Sequence, residues 1–355
     1  MTLEDLGFDC SLARHFDQLA AAGCSPCRVC LEHRGLYGLL TERGEMPAVP
    51  TGKLLHDAVG EADTPVVGDW VAARVLDERP PKAIIHSILP RRSVFSRKRA
   101  GSTVSEQPIA ANIDTVFIVM GLDHNFRPAR VERYLVPAWE SGASPVVLLT
   151  KSDVCDDVEA RIESIRAVAP GVPVHALSTI RGIGLGALDG YLMAGRTVAL
   201  LGSSGVGKST IINHLLGGEV QRVREVREND SRGRHATSHR QLFVVPSGGL
   251  VIDTPGMREL QLWSADDGLA EAFVDIEALS AGCRFKDCTH QVEPGCHVRE
   301  ALEQGALDPR RFENYTKMRG ELCYLEKKQD AGAVRAEREK WKHIAKQAKR
   351  MARGE

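Results

Sequence analysis

The chain has 355 residues, with 46 Lys and Arg against 47 Asp and Glu and a formal net charge of −1. This is too long for one ordinary core, so roughly two or three domains are expected. A hydrophobic content of 43% and a charged content of 26% are those of a soluble globular protein. The balance excludes nucleic-acid binding driven by overall charge. No apolar run reaches the length of a membrane span, and the opening MTLEDLGFDC lacks a basic–apolar signal pattern, so a cytoplasmic protein with no membrane partner is expected. In that reducing compartment, nine cysteines point to thiols or metal ligands, not a disulfide framework.

Residues 1–25 read as an N-terminal extension with mild amphipathicity. From Arg28 to about Pro90 come five short alternating runs, RVCLE, LYGLL, MPAVP, DWVAARV and AIIHSIL, broken by turn signals such as Arg34-Gly35 and Gly68-Asp69. That pattern predicts a small closed β-barrel of the OB-fold type. Cys24, Cys27 and Cys30 form C-x-x-C-x-x-C at its entrance, but a metal would need a fourth ligand and none lies at ordinary spacing. Cys30 also fits the first strand as a small buried residue. Arg91–Arg99 holds five basic residues, no acid and one aromatic, Phe95, and reads equally as a solvated linker or as a phosphate contact. Ala100–Gln107 reads as a loop.

The pattern then changes to apolar strands alternating with helices, which predicts a mostly parallel sheet covered on both faces. TVFIVM at Thr115–Met120, PVVLL at Pro145–Leu149 and TVALL at Thr197–Leu201 are the clearest strands. After the last comes GSSGVGKST, a gapless G-x-x-x-x-G-K-[ST], followed by a helical STIINHLL. Glycines let backbone N–H groups approach a phosphate chain, and a helix N-terminus favours its charge. Gly202, Ser203, Ser204, Gly205, Val206, Gly207, Lys208, Ser209 and Thr210 are therefore the expected nucleotide-binding loop. Lys208 would reach the β- and γ-phosphates and the Ser209 hydroxyl would ligate Mg²⁺.

Thr150-Lys151-Ser152-Asp153 lies at a strand's C-terminal end, where open α/β sheets bind ligands. It resembles the N/T-K-x-D element of GTPases, in which the aspartate accepts from guanine N1–H and N2–H₂ and the lysine stem lies along the ring. Ser178-Thr179, after the next strand, resembles the last guanine-contacting element. Asp253-Thr254-Pro255-Gly256 resembles D-x-x-G, with Asp253 on Mg²⁺ through water and the Gly256 N–H at the γ-phosphate. Between it and the phosphate loop lies RGRHATS, where Thr237 is the candidate to close over Mg²⁺ and the γ-phosphate. Met257 stands where many GTPases have a water-orienting glutamine, so unaided hydrolysis should be slow, on the order of 10⁻³ per second. His235 is the local candidate to orient the water, because neutral imidazole can accept its proton.

The motif order is unusual. Guanine elements at 150 and 178 precede the phosphate loop at 202, and D-x-x-G comes last, which is a circular permutation. The chain resembles, over nearly all its length, the circularly permuted GTPases that depend on the bacterial small ribosomal subunit. The match rests on the permuted motifs, VVGDWVA, GLYGLLT, AANIDTVFIVMGLD, GRHATS and a metal motif. The resemblance implies an OB-fold, a permuted GTPase domain and a helical zinc domain. It also implies GTP and GDP as ligands, the small ribosomal subunit and its rRNA as partners, and GTP hydrolysis coupled to late subunit assembly and factor release. The other readings are a GTP-switched RNA-binding scaffold with incidental hydrolysis, an RNA-remodelling ATPase, which Asp153 disfavours, and a zinc hydrolase.

The metal motif is Cys283-x₄-Cys288-x-His290-x₅-Cys296. Four soft ligands at this spacing suit tetrahedral Zn²⁺ in a filled, structural site. His297 could replace Cys296, and the family pattern favours Cys296. Asp308-Pro309 then opens a helix to about Lys328. From Lys327 on, ten basic residues face four acidic ones, reading as a solvated tail or an RNA-contacting arm. The expected boundaries are 1–25 extension, 26–95 OB-fold, 96–109 linker loop, 110–265 permuted GTPase domain, 266–330 zinc-binding domain and 331–355 basic tail, in a monomer.

Overall fold

The computed structural model describes residues 1–19, 23–33, 35–58, 60–76, 79–98, 106–218, 240–253, 266–325 and 327. His235, Thr237, Gly256, Met257 and the basic arm from residue 328 lie outside the described residues. Five strands close the expected barrel: β1 (Ser25–His33), β2 (Leu36–Thr41), β3 (Gly44–Pro50), β4 (Trp70–Leu76) and β5 (Lys82–Ile88). The pairing runs β1-β2-β3-β5-β4 and returns from β4 to β1, so no edge is left inside the ring. Each strand sends an i, i+2 pair inward, as strand geometry requires. These are Cys27 with Val29, Tyr37 with Leu39, Met46 with Ala48, Val71 with Ala73, and Ala83 with Ile85.

Cys27 fills the barrel, whereas Cys30, beyond a register shift in β1, belongs to the core on the other side. Burial pushes the Cys27 thiol up to about 12, which suits a packed thiol and not a ligand thiolate. Cys27 and Cys30 thus pack into different cores, Cys24 is half-buried, and the three form no metal-sized cluster.

The second half is an α/β unit with strand order β10-β9-β8-β11-β13-β12. Its strands are β8 (Thr115–Gly121), β9 (Ser144–Thr150), β10 (Val174–Ala176), β11 (Thr197–Leu201), β12 (Arg240–Val244) and β13 (Leu250–Asp253). All neighbours are parallel except β12, which runs antiparallel to β13. Alternate residues divide between two cores. Phe117, Val119, Val198 and Leu200 meet Ile211 and Ile212 of helix α5 (Lys208–Leu216) on one face. Val116, Ile118, Ala199 and Leu201 join the core of α3 (Pro128–Glu140) and α4 (Val158–Arg166) on the other.

The two halves share one eleven-stranded sheet, because β12 pairs with β1 through Leu31↔Gln241 and Glu32↔Arg240. Arg28 pins the same junction. Its fully buried guanidinium donates to the carbonyls of Leu6, Gly68 and Asn112 and, at 2.7 Å, to the Thr197 hydroxyl. The lead-in also packs here: helix α1 (Cys10–Leu19) follows Phe8, whose ring lies 4.9 Å from that of Trp70.

Two expectations are corrected. Within the stretch expected as a linker loop, residues 96–98 and 106–109 belong to an antiparallel hairpin, β6 (Val94–Lys98) with β7 (Glu106–Ala111). Its Phe95, Ile109 and Ala110 are buried, and that burial holds the strands in place. The basic run beginning at Arg91 is also not a free cationic surface at its start. Arg91 forks onto the buried Asp69 carboxylate at 2.8 Å and donates to Ala62 and Thr64, while Arg92 pairs with Asp9 at 2.9 Å. Phe95, 1% exposed, is unavailable to stack on a base.

The C-terminal helices are α6 (Asp266–Ala272), α7 (Val274–Ala281), α8 (His297–Glu303) and α9 (309–325). Asp308 caps α9 by accepting the Arg310 N–H at 2.8 Å. Among the described residues, no helix is long and apolar enough to cross a membrane.

Candidate nucleotide and metal sites

Parallel strands put their C-terminal ends on one edge, so the loops after β8, β9 and β11 and the end of β13 gather there although the chain reaches them in permuted order. Gly202 leaves β11 so close to β8 that an added Cβ would lie 2.4 Å from the Val119 carbonyl oxygen. Gly205 and Gly207 take φ of 73° and 102°, the left-handed region that a side chain would oppose. Val206 is anchored in the core beneath, and Ser204 and Gly205 face outward. The Lys208 ammonium folds back over the loop to the carbonyls of Gly202 at 2.6 Å and Ser203 at 2.7 Å. Ser209 and Thr210 form the first turn of α5.

The segment Thr150–Asp153 is tied to this loop. The Thr150 hydroxyl donates to the Val206 carbonyl at 2.5 Å and lies 3.2 Å from that of Met120. Lys151, with φ of 60°, pairs its ammonium with Asp123 at 2.7 Å. Burial opposes charge on Asp123, but the Lys151 bond and the Asn125 N–H hold its carboxyl below the usual carboxylate range. The Ser152 N–H donates to the Leu177 carbonyl at 3.2 Å, and its hydroxyl is enclosed without a hydrogen-bond partner. Asp153 receives the hydroxyl of the buried Ser178, and that bond lowers the Asp153 pKa, keeping the carboxylate ionised as an acceptor. Asp253 ends β13, beside the strand that carries the phosphate loop.

Two residues of this edge were missed in the sequence. Asp123 fixes the Lys151 ammonium, and Arg130 of α3 donates to the Ser203 hydroxyl at 3.1 Å. Position was the available signal for Asp123, because it follows the end of β8 directly. Arg130 had none, since its contact spans 73 residues.

In the C-terminal helices Cys283, Cys288, His290 and Cys296 converge, with all four ligand atoms within 4.8 Å of one another. His290 Nδ1 lies 3.4 Å from Cys296 Sγ and 3.7 Å from Cys283 Sγ, and those two sulfurs are 3.8 Å apart. Zn–S bonds of about 2.3 Å give tetrahedral edges of about 3.8 Å, so the donor set has the size of a zinc shell. Ser280 Oγ meets the far ring nitrogen of His290 at 3.2 Å, which orients the ring. Cys296 also caps α8 by accepting the Arg299 N–H, and His297 is not part of the cluster. Glu293 staples the intervening loop, taking the N–H groups of Thr289, Gln291 and Val292 and the Thr289 hydroxyl. Among the described residues this is the one cluster suited to a metal.

A family model described as RsgA GTPase matches residues 88–263. The small ribosomal subunit biogenesis GTPase RsgA of Opitutus terrae is 47% identical over 97% of this chain and 96% of its own length. Among solved structures, YjeQ from Thermotoga maritima superposes with a TM-score of 0.64 at 25% identity, covering 84% of this chain and 99% of that one. YloQ, described as a circularly permuted GTPase, gives 0.61 at 25% identity, covering 85% and 96%. With its phosphate loop following the T-K-S-D segment in this permuted order and its Cys₃His cluster beyond, the chain belongs to the RsgA GTPase family.

Proposed function

We propose that the protein hydrolyses GTP to GDP and phosphate during late maturation of the small ribosomal subunit. It would bind the subunit and its rRNA as a cytoplasmic monomer, with hydrolysis coupled to release of assembly factors. The observation supporting this reading is the pair of hydrogen bonds that tie the two ends of residues 150–153, Ser178 to Asp153 and Thr150 to Val206, which would hold the Asp153 carboxylate at a fixed reach from the phosphate loop. Adenine has no N1–H and N2–H₂ pair for Asp153, so that carboxylate would select guanine.

In this reading Lys151 lies along the base, held by Asp123, and the N–H groups of residues 202–210 cradle the phosphates. Lys208 exchanges its two carbonyls for β- and γ-phosphate oxygens and neutralises charge developing during transfer. Ser209, Asp253 and Thr237 would hold Mg²⁺, and Gly256 would meet the γ-phosphate. His235 would orient the attacking water that Met257 cannot. Cys283, Cys288, His290 and Cys296 would hold one structural Zn²⁺, whose filled shell leaves no position for substrate. The functional units would be the barrel at 26–95, the GTPase domain at 110–265, the zinc domain at 266–330 and the basic arm at 331–355.

The test is steady-state turnover of GTP, with ATP as control, in the presence and absence of purified small ribosomal subunits. A large, GTP-specific stimulation by the subunit is expected. Tight GTP binding with no stimulation would move the protein to the class of GTP-switched RNA scaffolds.

A further inference from the structure

Helix α3 is gripped from opposite sides. Arg130 in its first turn reaches Ser203 Oγ of the phosphate loop at 3.1 Å and the Asn125 carbonyl at 3.4 Å. Two residues on, roughly 200° around the helix, the Glu132 carboxylate is 1% exposed and accepts from Arg311 and Asn314 of α9, each at 2.7 Å. Arg133 pairs with Glu321 of α9 at 2.7 Å, and at the far end Glu140 accepts the Gly268 N–H of α6 at 3.0 Å. One 13-residue helix therefore touches the phosphate loop on one side and the C-terminal helices on the other.

We propose that Arg130 is a positioning residue for the phosphate loop, and that α3 relays the placement of the C-terminal helices to that loop through the Arg130–Ser203 bond. Ser203 is held by two cations at once: Arg130 takes its hydroxyl and Lys208 its carbonyl, at 2.7 Å. Moving Ser203 thus moves the point over which the Lys208 ammonium is held. Gly202 runs so close to Val119 of β8 that no side chain would fit between them, and Ser203 is the first loop residue beyond that close approach. On the other side, the buried ties of Glu132 leave little slack between α3 and α9, so a displacement of α9 is passed to α3 and not absorbed.

The positioning role is tested on the free, full-length chain by a double-mutant cycle in KM for GTP, with Arg130→Ala, Ser203→Ala, the double variant and Arg130→Lys. Arg130→Ala should raise KM about 5-fold with a smaller change in kcat, and the double variant should fall within about 2-fold of the worse single variant. Arg130→Lys should recover less than half of the loss, because the shorter lysine stem holds its ammonium short of the point from which one guanidinium nitrogen reaches both Asn125 and Ser203. Additive effects, or full recovery by lysine, would overturn the positioning role.

The relay rests on the small ribosomal subunit as partner, and is read as the release rate of a fluorescent GDP with and without subunits. The wild-type rate should change on adding subunits, and the change should shrink to under about 2-fold in Arg130→Ala. An undiminished response in the variant would overturn the relay. A wild-type chain that ignores the subunits would remove the partner and the relay with it, while the cycle would still decide the positioning role.

Discussion

The Thr150 hydroxyl donates at 2.5 Å to the carbonyl of Val206, joining the end of β9 to the middle of the phosphate loop. The Thr150–Asp153 segment and the phosphate loop thus share a frame, and a Cβ added at Gly207 would lie 3.8 Å from the Thr150 side chain. Thr150→Val keeps the shape and removes the donor, leaving the Val206 carbonyl without that partner. It should cost about 1–2 kcal/mol of stability and weaken GTP binding by roughly 5- to 10-fold, read by thermal melting and by fluorescent-nucleotide titration. A binding constant equal to wild type would mean that the phosphate loop holds its shape without this tie.

In the proposed reading Asp153 accepts from the base and Asp123 holds Lys151 along it, and substitution separates the two roles. Asp153→Asn replaces a charged acceptor by an amide and should lower GTP affinity by roughly 10- to 100-fold, while raising affinity for a xanthine nucleotide, whose ring presents an oxygen where guanine has the amino group. Asp123→Asn weakens only the grip on Lys151. It should cost about 3- to 10-fold for GTP with no gain for xanthine. Competition binding with both nucleotides checks the pair.

His235→Ala should abolish subunit-stimulated turnover while leaving GTP binding within about 2-fold of wild type. Single-turnover kinetics with saturating subunits provides the check, and unchanged turnover would reject the role.

The loop between the metal ligands carries its own pH signature. Hydrogen bonds from the Thr289 hydroxyl and N–H, with other loop amides, hold the Glu293 carboxyl down to about 2. A lowered carboxylate stabilises the fold above its unfolded pKa near 4.3 and loses that contribution as pH falls through about 2. For the protein loaded with Zn²⁺, release of the metal between pH 7 and 5 should therefore follow protonation of the cluster's cysteines and histidine, with Glu293 still ionised. Glu293→Gln should speed metal release at every pH in that range without moving its midpoint, measured with a zinc-chelating dye.

Arg311 joins four segments. It takes Glu132 of α3 and Asp275 of α7, each at 2.7 Å, and donates to the carbonyls of Val168 and Ala272. Burial raises the Glu132 carboxyl against the pull of Asn314 and Arg311, so removing the cation leaves a buried acid with a strong preference for its neutral form. Arg311→Met should destabilise the chain by about 3–5 kcal/mol. Adding Glu132→Gln should restore part of that, because it removes the unpaired charge. Chemical denaturation of the single and double variants measures both effects.

Chemistry confined to short stretches was legible in the sequence. A phosphate loop, a T-K-S-D turn and a cysteine–histidine motif each use residue types at spacings that backbone geometry permits locally. The alternation of the five barrel strands likewise follows from the two-residue period of an extended chain. The permutation was legible for the same reason, since motif order is a property of the chain and not of its packing.

What required the tertiary structure were contacts between distant segments and the fate of charges. Arg91 reads as one of five adjacent cations, yet it lies across a buried Asp69 that sits 22 residues away. The Arg28 guanidinium joins the barrel to Thr197, and Arg130, Glu132 and Arg311 connect the phosphate loop with the C-terminal helices across gaps of 73 to 179 residues. Hydrophobic periodicity says which face of a strand or helix is buried. It does not say which partner buries it, and an ion pair depends on that partner alone.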